Sequence, residues 1–314
     1  MVPPARRADR PVLHSRIGRR ETSGGAREGS GTEPAIELLI WAVVGFVVGV
    51  YGTLVGAGGG FIMVPIFLLF LTAPPNPMTP AVAAATSLAV VFFNAVSGSV
   101  SYLRQGRVDI RTALIFGVVT FPGAIIGSLV SRYFASRPFY VAFGVLLILI
   151  AIFLNVRPDP KTAKTATLGA DAAPALRPGW VARTMVERDG TTTRFAFNMA
   201  GGIALSFVVG FISSIFGIGG GIIHVPAMVF LFNFPPHIAT ATSLLVLVLS
   251  SGASTITNIL QENIRWLTMI GLTLGVIPGA QAGAALSRRV GGKAILRALS
   301  FALAVAGVRL LFKE

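Results

Sequence analysis

The chain contains no cysteine, so neither a disulfide framework nor a thiolate metal site is available to it. Charge is missing from long stretches as well. No Asp, Glu, Lys or Arg occurs from Leu38 to Leu103, from Phe195 to Gln261 or from Trp266 to Ser287. An aspartyl mechanism is thereby excluded, and so is the mid-membrane Asp or Glu that proton-driven carriers usually place inside a helical bundle. No apolar segment lies between the early arginines and a small-residue cleavage site, so the N-terminus does not read as a typical secretory signal. The histidines lack metal-binding companions, and no metal or other cofactor is expected.

What is present in quantity is apolar. Of 314 residues, 54% are hydrophobic and 12% charged, and the mean hydropathy is +0.77. Such a composition does not cover a soluble surface. Blocks of about 20 residues, long enough to cross a bilayer, run over 36–57, 80–102, 112–131, 138–156, 196–216, 239–260, 267–287 and 294–312, with shorter apolar pieces at 61–71 and 222–234. The expected fold is therefore an all-α, polytopic helical membrane protein with eight spans, in contact with membrane lipid. The net charge of +14 resides in tails and loops, where it bears on orientation and not on nucleic acid.

The chain also repeats itself. Gly56-Ala57-Gly58-Gly59-Gly60-Phe61-Ile62-Met63-Val64-Pro65 returns as Gly217-Ile218-Gly219-Gly220-Gly221-Ile222-Ile223-His224-Val225-Pro226. Ahead of the glycines, Gly45, Gly49, Gly52 and Gly56 correspond at one offset to Ser206, Gly210, Ser213 and Gly217. Behind them, at a second offset, Ala85-Thr86-Ser87-Leu88 matches Ala241-Thr242-Ser243-Leu244, Gln105 matches Gln261, and Pro122-Gly123 matches Pro278-Gly279. The reading is two internal repeats, each of four spans plus a glycine-broken short segment. Boundaries follow at 1–35 for a disordered basic tail, 36–156 for the first repeat, 157–194 for a flexible polar linker and 195–314 for the second repeat.

Two arrangements fit. If each break and its short segment belong to one interrupted crossing, then the tail, the 104–111 loop, the linker and the C-terminus share a side, which their arginines assign to the cytoplasm. The arginines at 288–297 then fall outside, against the same rule. If the short segments cross fully, each half has five spans and the repeat is inverted, a common transporter plan. The expectation carried forward is eight spans in the plasma membrane, with both termini and the linker cytoplasmic.

A duplicated module of Gly-x-Gly-Gly-Gly with an apolar run and Pro, then Ala-Thr-Ser, then a helix containing Pro-Gly, resembles the sulfite exporter TauE/SafE family of integral membrane proteins over about residues 36–312, the linker excluded. The resemblance implies a transporter of small anions, with sulfite or an organosulfonate first and export as the expected direction; an anion channel or a transporter of another small solute is the alternative reading.

The residues make their own case for an anion. A glycine run breaks a helix and leaves N–H groups unpaired, and the short helix that resumes after Gly60 or Gly221 offers the positive end of its dipole. Gly56, Gly58, Gly59, Gly60, Gly217, Gly219, Gly220 and Gly221 are the first candidates for substrate contact. Close helix packing is the competing role for glycine in lipid. Thr86, Ser87, Thr242 and Ser243 follow, since hydroxyls donate to oxyanions without burying a charge. Asn94 and Asn258 are expected to bridge helices, Pro65 and Pro226 to kink them, and Gln105 and Gln261 to sit at span ends in interfacial loops, an entrance vestibule that concentrates anions being the competing role. Trp41, Tyr102, Tyr133 and Trp266 read as interfacial anchors. Catalysis would need Ser213 or Ser214 activated by His224; no such arrangement is legible, and the chain is not expected to be an enzyme.

Overall fold

A computed structural model describes residues 32–71, 77–133, 136–156, 179–186, 188, 190 and 192–312. Residues 1–31 of the expected tail and most of the expected linker lie outside them, and the last four tail residues, 32–35, open the first helix. Among the described residues the elements in order are α1 (Thr32–Val55), α2 (Gly60–Phe70), α3 (Pro80–Gln105), α4 (Ile110–Ser131), α5 (Ser136–Val156), β1 (Trp180–Val186), β2 (Thr192–Asn198), α6 (Met199–Phe216), α7 (Gly221–Phe230), α8 (Pro236–Leu260), α9 (Trp266–Leu286) and α10 (Gly292–Leu311). Eight helices are long and apolar enough to cross a membrane, and α2 and α7 are the two short ones.

Small residues set the helix contacts. Gly45 and Gly49 of α1 press on α9, where a methyl at Gly49 would lie 2.7 Å from the Val276 carbonyl oxygen. Gly123 of α4 presses on α6, a methyl there lying 2.5 Å from the Phe207 carbonyl oxygen. In lipid no water-driven force pulls helices together, and close approach over glycine supplies the dispersion contact instead. Each long helix thus packs chiefly on a partner from the other half of the chain, while α2 packs on α3 and α7 on α8.

These contacts also fix direction. Gly45 meets Leu272 and Gly49 meets Val276, so α1 runs parallel to α9. Ser97 bonds Ile277 and Gln105 bonds Ala284, so α3 is parallel to α9 as well. Gly123 meets Phe207 and Gly127 meets Phe211, making α4 and α6 parallel, while Asn155 meets Ser300 and Gly144 meets Leu311, making α5 and α10 antiparallel. The short helices turn back. Along α6 and α7, Ser206 faces His224 and Gly201 lies beside Phe232; along α1 and α2, Tyr51 faces Phe61 and Trp41 faces Phe67.

Each glycine break is therefore the tip of a helical hairpin that enters and leaves by one side. Following the chain, α1 starts on the side where α10 ends, whereas the α3–α4 turn, the end of α5, the strands and the start of α6 lie on the other. This corrects the expectation that both termini and the linker share a side. The reason is that each short helix returns to the side its partner came from, which a count of apolar residues does not reveal.

The stretch after residue 179 is a second departure from the expected flexible linker. β1 and β2 pair antiparallel from Trp180↔Asn198 to Val186↔Thr192. Alternation along β2 buries Phe195 and Phe197, whose rings lie 4.5 and 4.7 Å from Phe234. Asn198 then caps α6 by accepting the Gly201 N–H at 3.2 Å. On the same side Arg183 Nε lies 3.3 Å from the Oδ2 of the buried Asp109, which caps α4.

The two sides should be separable by chemistry in this cysteine-free chain. Single cysteines replacing Tyr133 or Phe312 should react with an impermeant thiol reagent from the membrane side opposite to one replacing Arg289. Labelling of Phe312→Cys and Arg289→Cys from the same side would contradict the return of the short helices.

Candidate functional site

The two glycine breaks meet. A methyl on Gly60 would lie 2.5 Å from the Gly217 carbonyl oxygen, and one on Gly221 would lie 2.6 Å from the Ala57 Cα. Val91 of α3 and Leu247 of α8 touch both Gly58 and Gly219. The breaks thus face each other at the middle of the two most deeply buried spans, α3 and α8. All of Gly56, Gly58, Gly59, Gly60, Gly217, Gly219, Gly220 and Gly221 are buried.

Positive φ is required where the chain reverses. Gly59 at +83° and Gly220 at +95° are left-handed and precede α2 and α7 as their N-caps, neither with a side-chain capping bond. A side chain at either position would strain the backbone. The outcome is two uncapped helix starts brought together in a region without any ionised side chain. Pro65 and Pro226 fall inside the short helices, one turn beyond these starts.

The candidate hydroxyls hold this arrangement. Ser87 Oγ donates to the Gly217 carbonyl at 2.8 Å, and Ser243 Oγ donates to the Gly56 carbonyl at 3.1 Å. Each serine satisfies a carbonyl freed by the break in the other half. Thr86 and Thr242 sit one residue earlier and act as acceptors: Thr86 Oγ1 takes the Arg265 N–H and Thr242 Oγ1 takes the Asp109 N–H, both at 3.1 Å. The threonines therefore tie down the α8–α9 and α3–α4 turns on opposite sides of the membrane instead of pointing to the breaks.

Polar groups around each break differ. In the first half Thr53 Oγ1 donates to Asn94 Oδ1 at 2.9 Å, which bridges α1 and α3 and leaves the buried Asn94 Nδ2 without a partner. Tyr102, expected at the interface, is buried instead and donates to the Thr53 carbonyl at 3.1 Å, because its ring sits over the end of α1. Trp41 is buried too, against Phe67, while Tyr133 and Trp266 are exposed as interfacial rings would be. In the second half His224 Nε2 lies 3.4 Å from Ser206 Oγ. Ser206 also donates to the Gly202 carbonyl at 2.7 Å, and His224 Nδ1 lies beside Gly220. Ser213 and Ser214 bond to the Gly210 carbonyl and to Ser254, and neither pairs with His224. Asn258 stays within its own helix, its Nδ2 donating to the Ser254 carbonyl.

Intersecting helical hairpins with broken tips in a bundle of membrane-crossing helices define a polytopic membrane transporter. The sulfite exporter TauE/SafE family model matches residues 41–310, and the chain belongs to that family. A probable membrane transporter protein of Bacillus subtilis strain 168, YunE, is 34% identical over 280 residues, 88% of this chain and 98% of that one. A probable membrane transporter protein of Xylella fastidiosa strain Temecula1 is 27% identical over 85% of this chain and 89% of its own length. The sulfite exporter TauE/SafE family protein 6 of Arabidopsis thaliana is 34% identical over 107 residues, 34% of this chain and 24% of that protein. No solved structure matches.

The crossed bonds predict a graded mutational response. Ser87→Ala and Ser243→Ala each remove a donor to a buried carbonyl and should lower stability by about 1–3 kcal/mol. Thermal unfolding in detergent would show equal losses for the two. Gly60→Ala and Gly221→Ala, which drive a methyl into backbone, should cost at least the about 1–3 kcal/mol of overpacking and depress folded yield. Normal yield for either would show that the breaks do not touch.

Proposed function

We propose that this transporter carries a small oxyanion, with sulfite or an organosulfonate as the first candidate, at the place where the two glycine breaks meet. The observation that carries this reading is the convergence of two uncapped helix starts, at Gly59 and Gly220, in a charge-free interior. Each start presents N–H groups and the positive end of a helix dipole, which stabilise a negative ligand without a buried cation. Broken helices meeting between repeats are a recurrent site plan in secondary transporters. The family name agrees with the same ligand class. Gly56, Gly58, Gly59 and Gly60 with Gly217, Gly219, Gly220 and Gly221 would supply the contact, and Ser87 and Ser243 would hold the two breaks in register. The paired contacts at matching offsets support two inverted repeats of four long helices and one short helix each.

A carrier accounts for the packing better than an open channel does. With backbone of one break against backbone of the other, the interior is closed at this point, so passage requires the halves to move. Orientation follows from loop charge. The seven arginines of residues 1–35 precede α1 and weigh against the bias, but among the described residues Arg104, Arg107, Arg188, Arg288, Arg289 and Arg297 belong to the side of the strands, against Arg132, Arg137, Arg265 and Arg309 on the other. The strand side is accordingly assigned to the cytoplasm and both termini to the exterior of the plasma membrane. The membrane potential, negative inside, then favours outward anion movement.

Purified protein in liposomes should pass labelled sulfite or sulfoacetate, faster when the potential pulls anions out of the compartment facing the strand side. A solute panel in which only cations move would refute the assignment. In intact cells Arg289→Cys should be protected from an impermeant reagent and Phe312→Cys labelled; the reverse pattern would invert the orientation.

A further inference from the structure

The strand side carries a second built feature, apart from the breaks. A pocket of about 310 Å³ opens at the end of α3, lined among the described residues by Ser101, Arg104, Gln105, Arg107, Arg188 and Arg288. Its guanidinium groups come from three separate places: the end of α3 with its following turn, the β1–β2 turn, and the end of α9. Neutral bonds draw these places together. The Arg188 N–H donates to the Gln105 carbonyl at 3.3 Å, and Gln105 Nε2 donates to the Ala284 carbonyl at 3.2 Å. No described lining residue is acidic. Glu187 and Asp189, which flank Arg188 in the chain, lie outside the described residues.

The pocket is one-sided. At the offset that relates Thr86 to Thr242, the counterparts of Ser101, Arg104, Gln105 and Arg107 are Thr257, Leu260, Gln261 and Asn263. The frame recurs across the membrane, but α8 and its turn contribute no arginine at these positions. From the pocket a polar stripe follows one face of α3 inward, through Ser101 and Ser97 to Asn94, at the spacing of successive helical turns. It ends at the unpartnered Asn94 Nδ2, a buried donor with no acceptor. A buried donor left open is unusual enough to call for an explanation, and an oxyanion passing that point supplies the missing acceptor.

We propose that this pocket is a binding site for an oxyanion group of the sulfite, sulfonate or phosphate type. Arginine offers a planar fork of donors that matches such groups, and several arginines converging on one concavity concentrate anions ahead of the route inward. A free anion and the headgroup of an anionic phospholipid share this chemistry. For the free anion the site would be the loading station of the transport reading above, on which that role rests.

The test uses the whole protein, stripped of lipid in neutral detergent and titrated calorimetrically with inorganic sulfate. Arg104→Gln and Arg288→Gln should each weaken binding by about tenfold, the worth of one charge-assisted contact. Arg132→Gln, on the opposite side, should leave it unchanged. Native mass spectrometry with phosphatidylglycerol forms the second arm. Sulfate binding lost in the two variants assigns the site to the free anion, whereas lipid adducts lost in the same variants, without any sulfate response, assign it to a headgroup. Unaltered binding of both probes in both variants overturns the proposal, as does an equal loss in Arg132→Gln. Sulfite flux read in parallel keeps the two claims apart: absent flux with intact arginine-dependent binding sinks the transport reading and leaves the pocket standing.

Discussion

A helix that stops inside hydrocarbon leaves polar backbone with nothing to bond, and the protein can keep such a stop only by covering it. Here the cover for each break is the other break. Gly60 lies on Gly217, Gly221 on Gly56 and Ala57, and the serines one helix away donate across to the carbonyls of Gly56 and Gly217. The need for that mutual cover explains why α1 packs on α9 and α4 on α6: the two halves must interlock for the tips to reach each other. It also explains the glycine stripes ahead of the breaks, because a side chain at Gly45 or Gly49 would hold α1 away from α9 and pull its tip out of line.

Much of this was legible in the chain. The eight long helices follow from runs of uncharged apolar residues, and the breaks from glycine triplets that no helix tolerates in place. The family resemblance rested on the same residues. Direction was not legible: α2 and α7 are as apolar as any span, and only contacts such as His224 with Ser206 reveal that they double back. Tyr102 misled for a related reason. Its sequence position near the end of a span suits an interfacial anchor, but its helix is central, so the hydroxyl finds the Thr53 carbonyl instead of water.

The β1–β2 pair had a signal that composition concealed. Asp189-Gly190, a turn dipeptide, sits between two segments rich in β-branched and aromatic residues, Trp180–Val186 and Thr192–Asn198, a short-range mark of a hairpin. Set beside the Pro- and Thr-rich residues before it, the segment reads as linker. The roles of Thr86 and Thr242 were hidden differently, since residue type announces a hydroxyl but not whether it will donate or accept. Only the position of the Arg265 and Asp109 amides decides that.

Those two threonines have a thermodynamic consequence. Each fastens a turn at one mouth of the protein with the same bond, of the same length, from equivalent places on α3 and α8. Each bond ties a turn of one half of the chain to a helix of the other half, so a shift of one half against the other has to break both. The Arg183–Asp109 pair lies at one mouth alone, against the very turn that Thr242 fastens. The strand-side turn thus carries a second tie, to β1, beyond the one that Thr242 supplies.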